Sequence, residues 1–362
     1  MIARKGVSMR RKWIIWFLLT GSLGVGLTNE AKTGLWEKIA ESRPLLDWGI
    51  VYPTDLTVDA EGRVYVLDAQ NHQVTVLGAD LQKQFTFARK GEGLGELSGP
   101  VSISLTPQGK IGVFDLEQLK MVCYTRDGKP EGDYKLSTLG YIYFGRILDE
   151  GHCMVLTDKG RQFKTLIVHM PDQKIVRSIH MGDDSDFIYR DNTGAMMALY
   201  SIPYLSRSRI LDECNGLGVF ASAKQNWLRL IDVAGKEMVK IETKVTRKPI
   251  AEVEYAFFLE EIRNNSFTRG GWISSLQAHK WKNTFHEIKL DHDRIYVFPV
   301  PDDLSARAGF PASIYDYRGK LLRTTRFPLV PQKIGRGIAY VIENSLEGDD
   351  LIQRVIKFKI LE

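Results

Sequence analysis

Residues 53–83 read PTDLTVDAEGRVYVLDAQNHQVTVLGADLQK, and residues 100–130 read PVSISLTPQGKIGVFDLEQLKMVCYTRDGKP. Set one above the other at a constant offset of 47, without a gap, they stay in register. Pro53 meets Pro100, Leu56 meets Ile103, Val58 meets Leu105 and Gly62 meets Gly109. Val64 then meets Ile111, Val66 meets Val113, Asp68 meets Asp115, Val74 meets Met121 and Asp80 meets Asp127. Proline, glycine, aspartate and the apolar alternation hold together along the whole stretch. This is an internal repeat.

Each copy reads as a series of short strands. Leu56 and Val58 alternate with polar neighbours as a half-buried strand does, and Ala60-Glu61-Gly62 makes the turn that follows. Val64 and Val66 sit in a second strand, Gln73–Leu77 forms a third and Gln84–Ala88 a fourth, with the polar stretch 68–72 as the loop between the second and third. Four strands in roughly 40–50 residues mark a β-propeller blade. The pattern continues with decay through 151–174, where Thr157 takes the place of Asp115, and through 216–236, where Ser222 takes it. It recurs in 293–300 with 312–327, and again in 335–361. Six units result, starting near 53, 100, 143, 204, 285 and 329. The expected fold is all-β: a six-bladed β-propeller of four-stranded antiparallel blades, over residues 53–362, with a short helical insertion. Residues 29–52 form an N-terminal lead-in, of which 45–52 would close or flank the ring.

The glycine-rich segment RKGEGLGELSGP (89–100) falls between the fourth strand of one blade and the first strand of the next. A phosphate loop needs glycines whose N–H groups converge with a helix N-terminus on the anion. Here no G-x-G-x-x-G can be drawn, a strand follows, and Glu92 and Glu96 would repel phosphate. The segment is read as a crossover in which glycines supply positive φ.

The stretch VYVLDAQNHQVTVLGADLQKQFTFARKGEGLGELSGP (64–100) resembles an NHL repeat, with its V-x-D, N-H-x-V, closing G-x-G-x-G-x-L and next-blade proline. The chain as a whole is similar to exported bacterial six-bladed propellers related to NHL proteins. That resemblance implies a ring around a central channel, with ligand sites on the face that carries the crossovers and the second-to-third-strand loops. After the second unit the Asp and Asn-His signature is absent, so roles tied to it do not extend around the ring.

Composition narrows the classes of function. The chain has 362 residues, 44% hydrophobic and 26% charged, as a folded protein has. Its 49 basic residues exceed the 44 acidic ones by the five that lie in residues 1–26, so the remainder is neutral and a nucleic-acid partner is not expected. Those five flank the fifteen-residue apolar stretch WIIWFLLTGSLGVGL (13–27). A secretory signal core takes roughly 7–15 apolar residues and a spanning helix about twenty. Residues 1–28 are therefore read as a signal peptide, with an uncleaved N-terminal anchor as the alternative and membrane contact through this segment alone. An exported, periplasmic or extracellular monomer follows. Cys123, Cys153 and Cys214 are too few for a disulfide framework, lack metal-type spacing, and are read as core residues.

Chemical constellations are sparse. Metal-dependent NHL-type lyases and gluconolactonase-like propellers place zinc or calcium at the channel, and Asp55, Asp68, Asn71, Asp115 and Glu117 carry the oxygen ligands calcium would want. Recurrence of Asp68 and Asp115 at one place in the repeat argues instead that they cap blade turns through backbone N–H groups. His72 alone among seven histidines falls in a channel-side loop, and His152 and His169 are read as solvated. No metal or other cofactor is expected. The leading expectation is a non-enzymatic binding propeller that grips a protein segment or glycan with loops on one face. Asp55, Asn71, His72, Glu117, Arg146, Arg161, Arg207 and Asn226 are its candidate contacts. A metal-dependent lyase or lactonase working at the channel is the alternative.

Two stretches break the period. Residues 183–207 are a long crossover rich in aromatic, methionine and acidic residues. Residues 247–284 include PIAEVEYAFFLEEIRNN, expected to form a helix with Val253, Phe257, Leu259 and Ile262 on one side.

Overall fold

A computed structural model describes residues 36–361 apart from 159–162, 181–187, 191–195, 199–210, 223, 257–280, 302–308 and 349. Strand β1 (Trp36–Glu41) and a 3-10 turn (Leu45–Trp48) precede the first repeat. Blade 1 contains β2 (Pro53–Val58), β3 (Val64–Asp68), β4 (Gln73–Leu77) and β5 (Lys83–Phe87). Blade 2 contains β6 (Pro100–Leu105), β7 (Ile111–Asp115), β8 (Lys120–Tyr124) and β9 (Pro130–Lys135). Blade 3 contains β10 (Tyr141–Ile147), β11 (His152–Asp158), β12 (Phe163–His169) and β13 (Lys174–His180). The hairpin β14 (Ile188–Arg190) and β15 (Met196–Ala198) lies in the crossover that follows. Blade 4 contains β16 (Leu211–Cys214), β17 (Leu217–Ala221), β18 (Trp227–Ile231) and β19 (Glu237–Glu242). Blade 5 contains β20 (Phe285–Leu290), β21 (Arg294–Pro299), β22 (Phe310–Asp316) and β23 (Leu321–Phe327). Blade 6 contains β24 (Lys333–Gly335), β25 (Ile338–Glu347) and β26 (Asp350–Ile360).

In blades 1 to 5 the strands pair in sequence order, all antiparallel. Blade 6 has the order β1-β26-β25-β24, so its outermost strand comes from the other end of the chain. Trp36 packs edge-on against Phe358, with ring centroids 5.3 Å apart, and its indole N–H donates to the Arg326 carbonyl. The ring is closed by residues 36–41. The segment 45–52 flanks this junction, burying Leu45 and Ile50 against Tyr340, Ile342 and Val355.

The apolar residues pack between blades, as twisted sheets stacked around an axis require. Tyr65 and Leu67 meet Ile103 and Ile111, and Phe114 and Met121 meet Ile142 and Val155. Blades 3, 4 and 5 share one cluster through Met154, Val219 and Ile288. Tyr296 and Phe298 join Val341 and Phe358, while Val64 and Val66 join Tyr340 to complete the circle. Cys123, Cys153 and Cys214 are free thiols buried among these contacts, and burial raises all three thiol pKa values.

The blade-turn role expected of the repeated aspartates holds. Asp68, fully buried, accepts the backbone N–H groups of Val51, Tyr52, Gln70 and Asn71. Asp115 accepts those of Ser98, Gly99 and Gln118. Ser222 does the same more weakly for Lys224 and Gln225 in blade 4. The glycine-rich crossover is likewise occupied by the protein's own carboxylates: Glu96 accepts the Gly93 N–H and Asp133 the Gly95 N–H. Gly95 has φ +71°, and a Cβ there would stand 2.5 Å from Pro130 Cβ, so the turn requires glycine.

Of the expected helix, residues 252–256 are helical and the rest lies outside the described residues. Val253, expected on its packed side, is 76% exposed, whereas Glu254 is buried and ion-paired with Lys282. A buried ion pair, together with Tyr255 packed on the core of blades 3 to 5, fixes the start of this helix.

Candidate functional site

The first strand of each blade borders the channel, and one register position recurs around the ring. Thr57 lies opposite Tyr65, Ser104 opposite Gly112, Arg146 opposite Met154, Asp212 opposite Val219, Lys289 opposite Tyr296 and Lys333 opposite Tyr340. An innermost strand has an unpaired edge, whose N–H and C=O groups need partners once buried. Side chains from neighbouring blades supply them. Asp55 Oδ2 in blade 1 accepts the Ile103 N–H of blade 2 at 3.0 Å. Ser104 Oγ accepts the Ile147 N–H of blade 3 at 2.9 Å, and Asp212 Oδ2 accepts the Leu290 N–H of blade 5 at 2.8 Å.

Charge is concentrated on the same tier. Arg146 Nη1 lies 2.6 Å from Asp55 Oδ2 and also donates to the Ile103 carbonyl. Lys333 Nζ lies 3.3 Å from Asp212 Oδ1 and 3.0 Å from Glu213 Oε1, and donates to the Glu213 carbonyl as well. Lys289 pairs with Glu287 at 2.8 Å. All seven side chains are buried. Burial works against the charged forms of Arg146 and Lys333, yet the carboxylates outweigh it: Asp55, Asp212 and Glu213 hold Arg146 above its usual value, and Asp212 and Glu213 do so for Lys333. Burial also pushes the Glu213 carboxyl up to about 7; Lys333 opposes that rise and Asp212 adds to it. The channel is thus crossed by two ion-pair groups, one joining blades 1, 2 and 3 and the other joining blades 4 and 6.

A cleft of about 580 Å³ opens at one mouth of the channel. It is lined by the turn 58–62 of blade 1, residues 105–107 of blade 2, 213–215 of blade 4, His292 of blade 5 and 333–336 of blade 6. These lie at the ends of first strands, on the face opposite the crossovers. Arg126, Arg336 and Lys357 bring positive charge to it. Arg126 is paired with Glu61. Arg336 donates to the Ala60 carbonyl and Lys357 to the Ala79 carbonyl, and among the described residues neither has a carboxylate partner. Partial burial pulls the Lys357 ammonium below its ordinary value, a shift that Asp80 opposes. Thr57 is almost wholly buried and its hydroxyl has no partner among the described residues.

Of the candidates read from sequence, Asp55 and Arg146 are brought together as the buried pair in the channel. Asn71 and His72 stand in the β3–β4 loop and Glu117 in the β7–β8 loop, on the crossover face; Asn226 lies in the β17–β18 loop on the same face. Asn71 is tied to Asp68 and to the Gly49 carbonyl, and Asn226 donates to the Thr243 carbonyl. No hydrogen bond or ion pair among the described residues joins these four to the Asp55–Arg146 pair. Arg161 and Arg207 lie outside the described residues, as do residues 1–28, read from sequence as a signal peptide, and most of the insertions. Among the described residues no three His, Cys, Asp or Glu side chains gather as a metal site, and no helix is long and apolar enough to cross a membrane. Sequence reasoning missed Asp212, Lys289 and Lys333 in the channel, and Arg336 and Lys357 in the cleft. Extending the Thr57 register through all six units would have found the first three.

Comparison with known proteins agrees with this architecture. The NHL repeat family model matches residues 51–77, which is blade 1 through β4. No curated protein matches the chain. Among solved structures, a suspected exported protein of Bacteroides fragilis NCTC 9343 superposes with a TM-score of 0.57 at 12% identity, over 92% of this chain and 98% of that one. A member of the DUF4221 family from Bacteroides vulgatus gives 0.50 at 11% identity, over 91% and 99%. Virginiamycin B lyase from Staphylococcus aureus gives 0.41 at 10% identity, over 90% and 99%. The chain is a six-bladed β-propeller whose first blade matches the NHL repeat.

Proposed function

We propose that this protein is a non-enzymatic binding propeller of the cell envelope or exterior, and that it holds an acidic protein segment or glycan in the cleft at the channel mouth. The observation that carries this reading is the pair Arg336 and Lys357. Both line a preformed cleft and donate to main-chain carbonyls, Lys357 also lies over the Tyr340 ring, and among the described residues neither has an ion-pair partner. Lys357 is buried and Arg336 exposed, and a buried cation without an ion-pair partner gains more from an incoming carboxylate or sulfate than an exposed one does, so Lys357 carries the larger share. The channel below is filled by paired charges, which leaves a shallow receptacle suited to a group presented from outside. Export is supported by the basic and apolar character of residues 1–28.

The test is surface plasmon resonance of residues 29–362 against a panel of acidic peptides and acidic glycans. The Arg336→Ala/Lys357→Ala variant should lose binding while Asn71→Ala/His72→Ala, on the other face, keeps it. Loss in the second variant alone would move the site to the crossover face and sink this assignment.

A further inference from the structure

On blade 3, away from the cleft, His152 begins β11 and His169 ends β12, directly opposite each other across the strand pair. Their ring centroids are 5.2 Å apart and the planes are inclined by 51°. Each ring is aimed by its own turn. His152 Nδ1 lies 2.9 Å from Asp149 Oδ1, an oxygen that also accepts the N–H groups of Gly151 and His152. His169 Nδ1 lies 2.7 Å from Asp172 Oδ1, which accepts the Lys174 N–H.

A neutral imidazole that gives its Nδ1 proton to a carboxylate keeps a bare lone pair on Nε2. Both rings here turn Nδ1 to a carboxylate, which leaves Nε2 as the nitrogen each can offer an ion. Among the described residues no donor reaches either Nε2. The Nε2 edge of His169 is turned toward Gly151, the residue before His152: a Cβ at Gly151 would stand 3.5 Å from it. Two adjacent acceptors call for an electrophile between them. Carboxylate-oriented histidines are the usual outer arrangement of a transition-metal site. With zinc–nitrogen bonds of roughly 2.0–2.1 Å at a tetrahedral angle, two imidazoles place their centroids roughly 5 Å apart. The observed centroid separation is of that size. The side chains are 27% and 37% exposed, so an ion has access from solvent.

We infer that His152 and His169 form a two-histidine site for a nitrogen-seeking divalent transition ion of the zinc or nickel type, with water completing its coordination. Such an ion staples the turn after β10 to the turn after β12. It is independent of the cleft and of the ligand proposed for it.

Isothermal titration of the metal-free protein with zinc chloride, and separately with nickel chloride, tests the site. One equivalent should bind, and a saturating amount should raise the unfolding temperature. His152→Ala and His169→Ala should each abolish uptake while leaving the metal-free melt unchanged. Asp149→Asn and Asp172→Asn should each weaken affinity by about tenfold, as loss of an orienting carboxylate does. Absence of binding, or binding that survives both histidine variants, would overturn the inference. Loss of binding together with a lowered metal-free melt in either variant would also count against it, since the effect would then be one of folding.

Discussion

Thr57, Ser104, Arg146, Asp212, Lys289 and Lys333 occupy equivalent places in six blades, yet only the first two are neutral. Along an inner strand such residues read in sequence as the solvent face of an ordinary half-buried strand. That is why the channel charges were mostly illegible: period-two alternation is the same whether the polar side looks into water or into a narrow axis. Asp55 and Arg146 were among the candidate contacts, but their pairing needed blades 1 and 3 to be seen across the channel. A buried carboxyl in such a cluster leaves a measurable trace. Glu213 has a folded-state pKa of about 7 against an ordinary 4.5. The folded protein therefore holds this proton more tightly than the unfolded chain. The stabilisation is complete below the ordinary value, and is lost as pH rises toward and past the folded one. Thermal melts across that window should fall with pH, and Glu213→Gln should flatten this part of the fall. An unchanged slope in the variant would place the titration elsewhere.

At the scale of strands and loops, most of the structure was readable, because blades 1 and 2 repeat without a gap and each strand is bounded by a turn with its own chemistry. Asp59, Asp232 and Asp316 each accept two backbone N–H groups in these turns, the signature that short polar side chains give. The glycine crossover was read correctly for a related reason: its N–H groups are already claimed by Glu96, Asp115 and Asp133. The strand WEKIAE (36–41) was not singled out, since it belongs to no repeat and acquires its role only by pairing with residues 356–360. Its removal should matter. A chain beginning at Arg43 forfeits the Trp36–Phe358 contact and one row of ladder hydrogen bonds, which should lower stability by about 2–4 kcal/mol. Urea unfolding of the shortened and longer chains would measure it, and equal midpoints would mean that the sixth blade stands on three strands.

Taken whole, the molecule is a circle of cores, each shared by neighbouring blades, so no blade owns a complete interior. Cys123, Cys153 and Cys214 sample three successive blades of that circle. Burial pushes the Cys123 and Cys214 thiols up to about 12, and raises Cys153 as well. All three should ignore a thiol reagent in the native state and react together on unfolding, following one transition measured by circular dichroism. Staggered reaction would mean that blades open separately. The shared last blade has one more consequence. Its outer strand is among the first parts of the described chain to be synthesised, and the strand it pairs with is the last. A nascent chain can stack five blades but must keep WEKIAE unpaired until residues 350–360 have been made, so latching the circle comes after the other blades.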